Sequence, residues 1–281
     1  MLLRIAIGLA IAYVLLVLLA WLFQERMAFP APRGALPDGI ELRQAGAQRI
    51  ELVMRDGTHL AGVYLPPRTP IGQSDRLTVG PKAPGMLWFY GNGENIGAIW
   101  EIVVEFQPPG TGVLVVDYPG YGESGGRTTE RGLYEAADLA YDALLSRPEI
   151  NGARVFVYGR SLGTAVATHT AATHPVAGLV LESPFTNARE MSRQHYGLFP
   201  RFIVRLHLDN VATIARVRCP VLVFHGTDDL LVPPRMGEAV ARAAPGPVEL
   251  VWIRGAGHNT TYEVGGKVYR ERLWAFVATT P

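Results

Sequence analysis

The feature that most constrains the fold of this chain is a regular alternation, from residue 86 onward, of short apolar segments with longer amphipathic ones. Buried strands, rich in β-branched residues, are predicted at residues 86–90, 113–116, 155–158, 178–181, 221–224 and 249–253. Amphipathic helices are predicted at residues 95–106, 130–146, 162–173, 234–243 and 262–277. Strands that alternate with helices form a parallel sheet, whose functional loops lie at the carboxyl ends of its strands.

Two segments of alternating apolar and polar residues precede this pattern, at residues 48–54 and 59–65. The Asp56-Gly57 pair between them favours a tight hairpin. The predicted fold class is therefore α/β, a mostly parallel, doubly wound sheet that starts with an antiparallel strand pair. A loop rich in Pro and Gly, at residues 66–85, joins the two patterns.

The first 25 residues form a separate apolar block. No charged side chain lies between Ile5 and Phe23, and at about 1.5 Å per residue this stretch nearly matches a hydrocarbon core of about 30 Å. Trp21 lies where an interfacial aromatic residue is expected. We predict an uncleaved transmembrane anchor at residues 1–25 and hence a membrane location, with a cleavable signal peptide as the alternative. Arginines flank the block on both sides, so neither orientation is favoured.

A linker and one domain are predicted after the anchor. Pro30, Pro32 and Pro37 indicate a stiff, non-helical linker at residues 26–47. The rest, residues 48–281, has the length of one large domain. A short cap is predicted at about residues 184–218, between two strands.

Charge and cysteine content limit which ligands, cofactors and disulfides the sequence predicts. The formal net charge is +1 and the basic residues are dispersed, so no nucleic-acid partner is predicted. The one cysteine, Cys219, excludes an intramolecular disulfide, and its place at the start of an apolar strand favours packing over reactivity. No histidines and carboxylates have the spacing of metal ligands, so we expect neither a metal nor another cofactor.

A serine flanked by glycines lies between a predicted strand and a predicted helix, in the segment Gly159-Arg160-Ser161-Leu162-Gly163. The glycines permit a sharp turn that lifts the hydroxyl above the sheet. Backbone N–H groups at the start of the helix then face a developing oxyanion. Ser161 is the predicted nucleophile, although a plain tight turn would also account for the pentapeptide alone.

A serine hydroxyl needs a base, and the base needs an acid that holds its tautomer. His258 follows the last predicted strand in a glycine-flanked loop and is the predicted base. Two adjacent aspartates, Asp228 and Asp229, follow the strand predicted at residues 221–224. Either aspartate has the position of the acid.

Several motifs together resemble the single-domain α/β-hydrolases related to serine aminopeptidases, dienelactone hydrolases and membrane-anchored acyl-protein hydrolases. The motifs are the serine turn, Asp117-Tyr118-Pro119-Gly120-Tyr121-Gly122-Glu123-Ser124, Glu182-Ser183-Pro184-Phe185 and His225-Gly226-Thr227-Asp228-Asp229-Leu230-Leu231-Val232-Pro233. The resemblance covers about residue 48 to the C-terminus and implies the α/β-hydrolase fold. The family motif H-G-x-x-D-x-x-V-P places the acid at Asp229 and leaves Asp228 as its neighbour.

The resemblance also implies an oxyanion hole. The family has a His-Gly-Asn turn after its third strand, where this chain has Tyr90-Gly91-Asn92, with Tyr90 in place of the histidine. The backbone N–H groups of Asn92 and Leu162 are the implied donors.

The expected activity is hydrolysis of a carboxylic ester or thioester, in a small-molecule or acyl substrate, through a Ser-His-Asp triad and an acyl-enzyme. An aminopeptidase-like amide hydrolase and a non-catalytic scaffold on a hydrolase fold are the alternatives. The segment from Gly120 to Gly125 matches the G-x-G-x-x-G pattern of dinucleotide-binding enzymes, but it does not run directly into a helix. Serine at the turn disfavours the dehalogenases and epoxide hydrolases, which use aspartate there.

The cap and the turn after the third strand offer side chains for a substrate pocket, namely Tyr90, Phe185, Tyr196, Leu198, Phe199, Phe202 and Leu206. Aromatic residues that only pack the cap onto the sheet are the alternative. No acidic anchor for a substrate amino group is identified, because Glu94, Glu123 and Glu182 lie near strand ends, where acids commonly hydrogen-bond loops.

Overall fold

The computed structural model describes residues 1–68 and 82–280. Within these residues the core is one mixed sheet of eight strands, in the order β1-β2-β4-β3-β5-β6-β7-β8. The strands are β1 Gln48–Val53, β2 His59–Leu65, β3 Ala83–Phe89, β4 Gly112–Val116, β5 Ile150–Arg160, β6 Gly178–Glu182, β7 Val221–Gly226 and β8 Val248–Ile253. The predicted fold class is confirmed, and each predicted strand is present.

The sheet is parallel from β3 to β8 and antiparallel at its start. β1 pairs with β2 in a hairpin, and β2 pairs with β4, both in antiparallel register. The parallel strands β3, β4, β6 and β7 are buried along nearly their whole length, as the continuous apolar runs of the sequence predicted. Much of the predicted loop at residues 66–85 lies outside the described residues, and β3 begins at Ala83.

Nine α-helices are present in the described part of the chain: α1 Leu2–Ala28, α2 Gly39–Ala45, α3 Ile96–Phe106, α4 Glu130–Leu145, α5 Leu162–Thr173, α6 Ala188–His195, α7 Asn210–Ile214, α8 Pro234–Ala243 and α9 Thr261–Thr279. A 3-10 turn at Arg201–Ile203 follows α6. Helices α4, α5, α7 and α8 pack in sequence along one face, while α3 and α9 pack together elsewhere on the sheet. Helices thus cover the sheet in the doubly wound manner.

Side-chain caps explain where two of these helices begin. The Asn95 side chain accepts a hydrogen bond from the backbone N–H of Ala98 at the start of α3. The Thr129 side chain does the same for Gly132 at the start of α4. Each cap satisfies a backbone donor that has no partner inside its helix.

The predicted linker is not wholly non-helical. Helix α1 extends to Ala28, and α2 occupies Gly39–Ala45. Asp38 and Glu41 cap α2 reciprocally, since each side chain accepts from the backbone N–H of the other, at 2.8 and 2.9 Å. Leu42 anchors this helix in the core. The capping pattern was present in the sequence, but a helix of seven residues is too short to show a clear apolar period.

Among the described residues, one helix, α1, is long and apolar enough to cross a membrane. It buries Ala20, and most of its large apolar side chains are exposed. The core of the α/β fold therefore does not cover this helix. Cys219 lies half-buried just before β7, where burial raises the pKa of its thiol to about 11.

Candidate active site

The turn between β5 and α5 holds Ser161 in a strained backbone conformation. Its φ is +50°, in a region that residues other than glycine rarely adopt. The flanking glycines are sterically required, because a Cβ at Gly159 would lie 2.3 Å from the Gly163 carbonyl oxygen and a Cβ at Gly163 would lie 2.2 Å from that of Phe89. The backbone N–H of Ser161 donates to the Glu182 carbonyl at the end of β6, at 2.9 Å. Such a conformation costs on the order of 1–3 kcal/mol and persists only where its surroundings hold it.

Ser161, His258 and Asp229 form a hydrogen-bonded chain. His258 Nε2 lies 3.0 Å from Ser161 Oγ, and His258 Nδ1 lies 2.8 Å from Asp229 Oδ2. Each residue comes from the loop after a different strand, namely β5, β8 and β7. The three predicted side chains therefore meet at the carboxyl edge of the sheet, in the order of the predicted nucleophile, base and acid.

Asp229, and not its neighbour, reaches the histidine. Its second oxygen, Oδ1, accepts from the backbone N–H groups of Leu231 and Val232, at 3.0 and 2.8 Å. Asp228 Oδ1 instead accepts from the Thr227 hydroxyl. Burial raises the pKa of Asp229, but the hydrogen bond and charge of His258 and the Val232 N–H outweigh burial and leave that pKa below its ordinary value. The carboxylate is therefore ionised near neutral pH and can hold the proton of His258 on Nδ1.

Asn92 and Leu162 lie beside Ser161 at the floor of one cavity. Leu162 is the first residue of α5, so its N–H belongs to the helix N-terminus. The Asn92 side chain is held from two sides, because its Nδ2 donates to the Ala28 carbonyl at 2.8 Å and its Oδ1 accepts from the Tyr121 hydroxyl at 2.6 Å. The loop that would supply the second oxyanion donor is thus tied to the end of α1.

Tyr90 supports this loop from below and does not line the cavity, which corrects its assignment to the pocket. It is fully buried, and its hydroxyl donates to Asp117 Oδ1 at 2.9 Å. The Tyr90 hydroxyl oxygen also accepts from the backbone N–H of Tyr118 at 3.0 Å. The Tyr118 hydroxyl returns a bond to the Tyr90 carbonyl at 2.9 Å. The hydroxyl and carbonyl of Tyr90 therefore both have hydrogen-bond partners, at the position where the family that the sequence resembles has a histidine.

Arg160 is a buried contact of the site that sequence reasoning missed. Its Nη1 lies 2.5 Å from Glu94 Oε1 and its Nε lies 3.2 Å from Glu182 Oε1. Its Nη2 donates to the carbonyl of His258 and to the Asn259 side chain, each at 2.9 Å. Burial lowers the pKa of Arg160, but the two carboxylates raise it more, so the guanidinium stays charged. One side chain thereby joins the serine turn to the histidine loop.

The network around Arg160 engages two of the three acids near the strand ends, Glu94 and Glu182. Glu94 Oε2 accepts from the backbone N–H of Gly91 at 2.6 Å, which links Arg160 to the loop after β3. Glu182 is fully buried and also accepts from Tyr158, Thr261 and Tyr269. Glu123 pairs with Arg49 at 2.5 Å and accepts from the backbone N–H of Leu36. The sequence placed all three acids near strand ends but gave no sign that two of them share one arginine.

A cavity of about 650 Å³ lies over Ser161. Its walls come from α1 and the following residues, from the segment between β6 and β7, and from Leu231. The α1 side contributes Ala20, Gln24, Met27, Ala28, Phe29 and Pro30, and the cap side Phe185, Ala188, Met191, Ser192, His195, Tyr196, Phe199, Ile203, Val204, Leu206 and Leu208. Among these described lining residues none is Asp, Glu, Lys or Arg.

The structure places four of the predicted pocket residues in this cavity: Phe185, Tyr196, Phe199 and Leu206. Phe202 and Leu198 are outside its lining and are 84% and 67% exposed, which corrects their assignment. They lie at the outer side of the cap, in and before the 3-10 turn. The α1 wall was not predicted, because contacts between residues far apart in the chain leave no local pattern.

Comparison with known proteins agrees with the fold. Residues 83–213 match the family model described as serine aminopeptidase, S33. The chain is 32% identical over 265 residues to the uncharacterized protein Rv2307c of Mycobacterium tuberculosis, covering 94% of this chain and 90% of the relative. It is 32% identical over 197 residues to the human alpha/beta hydrolase domain-containing protein 17B, covering 69% of this chain and 66% of the relative.

Among solved structures, the Pyrococcus furiosus esterase Pf2001 is similar with a TM-score of 0.67 at 16% identity, covering 88% of this chain and 98% of the esterase. At that identity the likeness shows the fold alone. The mixed sheet and the site at its carboxyl edge define a hydrolase of the α/β class. The sequence relatives agree, and the chain belongs to the α/β-hydrolase superfamily, where it is similar to the alpha/beta hydrolase domain-containing protein 17B.

Proposed function

We propose that this protein is a serine hydrolase that cleaves esters or thioesters of apolar acyl groups through an acyl-enzyme. The observation that carries the proposal is the hydrogen-bonded chain of Ser161, His258 and Asp229 at the floor of a largely apolar cavity, whose described lining residues include no Asp, Glu, Lys or Arg. We further propose that α1 anchors the protein in a membrane, because its length and composition suit a membrane span.

In the proposed mechanism, Ser161 Oγ attacks the substrate carbonyl while His258 Nε2 takes its proton. The ionised Asp229 holds His258 in the required tautomer and stabilises its charged form. The backbone N–H groups of Asn92 and Leu162 bind the oxyanion of the tetrahedral intermediate. His258 then protonates the departing alcohol or thiol, and water, deprotonated by the same histidine, releases the acid from Ser161.

The lining of the cavity favours an ester or thioester over a peptide with a free amino terminus. Recognition of an ammonium group in an apolar cavity requires a carboxylate partner, and the described lining residues include none. Glu94, Glu123 and Glu182 are all engaged within the protein. The similarity to serine aminopeptidases still supports amide hydrolysis as a second candidate.

The first experiment is labelling of the full-length protein and its Ser161→Ala variant with a fluorophosphonate probe. We expect the wild-type protein to be labelled and the variant not to be, with an unchanged melting temperature. Rates on p-nitrophenyl esters of increasing chain length and on aminoacyl p-nitroanilides then separate the two candidates, because an acyl hydrolase prefers the esters. A folded wild-type protein that takes no label would favour the non-catalytic scaffold.

A further inference from the structure

Part of the cap lies along the membrane-competent helix. The Tyr13 hydroxyl donates to the Leu198 carbonyl at 2.9 Å, and Gln24 Nε2 donates to the Ile203 carbonyl at 3.2 Å. Gln24 Oε1 in turn accepts from the backbone N–H of Arg205 at 2.7 Å. The segment from residue 198 to residue 205 therefore follows α1 between Tyr13 and Gln24, about 16 Å at the α-helical rise.

This contact limits how α1 can lie in a bilayer. The charge-free stretch from Ile5 to Phe23 has about the length of one hydrocarbon core. Its second half, from Tyr13 onward, is the half that the cap contacts. A position of α1 that immerses the whole stretch in lipid consequently carries residues 198–203 into the membrane with it.

The side chains on this part of the cap suit such an environment. Tyr196, Leu198 and Phe202 are 56%, 67% and 84% exposed. They belong to or directly precede the cap segment that hydrogen-bonds to α1, whose own large apolar side chains are mostly exposed. Large apolar side chains in one continuous exposed patch mark an interaction surface. We call α1 together with Tyr196, Leu198 and Phe202 the lipid-facing surface.

Polar groups at the border of this surface fit the membrane interface. The Arg205 guanidinium lies 4.6 Å from the centre of the Trp21 ring and donates to the Trp21 carbonyl at 3.0 Å. Trp and Arg are both favoured at the level of lipid headgroups. Arg193 and Arg201, each within 4 Å of Glu190, are long enough to extend toward the headgroups.

The same elements form the cavity over Ser161. Ala20 and Met27 line it from α1, and Tyr196, Phe199 and Ile203 line it from the cap. We propose that the lipid-facing surface inserts into the bilayer and that the cavity receives the acyl chain of its substrate from the lipid phase. The part of this inference that concerns the substrate rests on the proposed function, and the part that concerns insertion does not.

Insertion is tested by the depth of a fluorescent label on the full-length protein in phosphatidylcholine and phosphatidylglycerol vesicles. Cys219→Ala provides a cysteine-free chain, into which Phe202→Cys introduces one site for an environment-sensitive dye. Leu145→Cys is the matched control, since Leu145 is 39% exposed at the end of α4, shortly before β5 begins and thus at the opposite edge of the sheet. We expect lipid-borne nitroxides to quench the dye at residue 202 and an aqueous quencher to reach only residue 145. Equal aqueous quenching at both sites would overturn the proposal.

Access from the lipid phase is tested by a charge on the same surface. Phe202→Asp should slow hydrolysis of a long-chain ester embedded in vesicles by about tenfold or more, because a carboxylate is strongly disfavoured in lipid. It should leave the rate on dissolved p-nitrophenyl butyrate unchanged, and Leu145→Asp should change neither rate. A wild-type protein that cleaves the dissolved ester but not the embedded one would overturn lipid access and leave the proposed function intact. If it cleaves neither ester, the proposed function fails, and the label at residue 202 still decides on insertion.

Discussion

Arg160 concentrates four contacts of the site on one guanidinium. It bonds Glu94, Glu182, the His258 carbonyl and Asn259, and is itself buried. A planar group with five donors can serve several acceptors at fixed angles, whereas an ammonium cannot. Arg160 touches no substrate atom in the proposed mechanism, so it is a positioning residue.

Arg160→Lys should therefore reduce kcat on a dissolved ester by about 10-fold to 100-fold with little change in KM, because misplacement of His258 affects the reaction more than binding. The measurement is steady-state kinetics together with the rate of fluorophosphonate labelling. Arg49→Lys, in the exposed pair with Glu123, is the matched control and should behave like the wild-type protein. A rise in KM alone would assign Arg160 to binding instead.

Asp229→Asn tests the role of the acid. An amide in place of the ionised carboxylate favours the wrong tautomer of His258, and we expect kcat to fall by about 10⁴-fold. Asp228→Asn should have a small effect, because Asp228 bonds Thr227 and not the histidine. Equal losses in the two variants would argue against the assignment made here.

His225 makes stability depend on pH. It is fully buried with Nε2 at 2.8 Å from the Val232 carbonyl, and burial lowers the pKa of its imidazole. Below the ordinary value of about 6.5, the unfolded chain binds a proton that the folded chain does not. The free energy of unfolding therefore falls as pH drops below 6.5 toward the native pKa, by up to about 1.4 kcal/mol per unit.

Urea unfolding at pH 7.5 and 5.5 should show this loss in the wild-type protein and a smaller loss in His225→Gln. His169, whose pKa burial also lowers, contributes with the same sign and keeps the loss from vanishing. An identical pH dependence in the two proteins would contradict the prediction.

At the level of elements, local patterns predicted the sheet well and the cap poorly. Helices α5 and α8 begin and end where the sequence indicated, because each follows a clear turn signal. Helix α5 is buried on nearly all sides, and α8 buries one face. Helix α6 has no buried residue, so it offers no apolar period, and α7 has only five residues. The serine turn was predictable from five residues, while the Arg160 network joins residues up to 99 positions apart.

The strained turn at Ser161 depends on close backbone packing, which Gly163→Ala tests. The added methyl would lie 2.2 Å from the Phe89 carbonyl oxygen, so β3 must move beside the proposed oxyanion loop. We expect a loss of about 1–3 kcal/mol in the free energy of unfolding and a large loss of activity in the folded fraction. Gly57→Ala, in the β1-β2 hairpin at a φ of +85° with no atom near the added methyl, should lower stability without lowering activity. Full activity of Gly163→Ala would show that the turn tolerates displacement.

For the molecule as a whole, the amino-terminal helix and the cap enclose one cavity over the site. Ala20 of α1 lines this cavity and Ala10 of the same helix does not. Ala20→Phe should therefore shift the preference among p-nitrophenyl esters toward shorter chains, while Ala10→Phe should leave the profile unchanged. The same profile in both variants would show that α1 does not limit the cavity in solution.

The shared wall has a practical consequence for biochemical work on this protein. A water-soluble truncation that begins after α1 would lose Ala20, Gln24 and Met27 from one side of the cavity and would also lose the Ala28 carbonyl that holds Asn92. The cavity of this fragment would be open on the side where α1 lies in the intact protein, and the loop that carries Asn92 would lack one of its hydrogen bonds. Selectivity and inhibitor potency measured on such a fragment would describe the opened cavity and not the cavity of the intact protein. Screening on the intact protein in nanodiscs or detergent is therefore the appropriate choice.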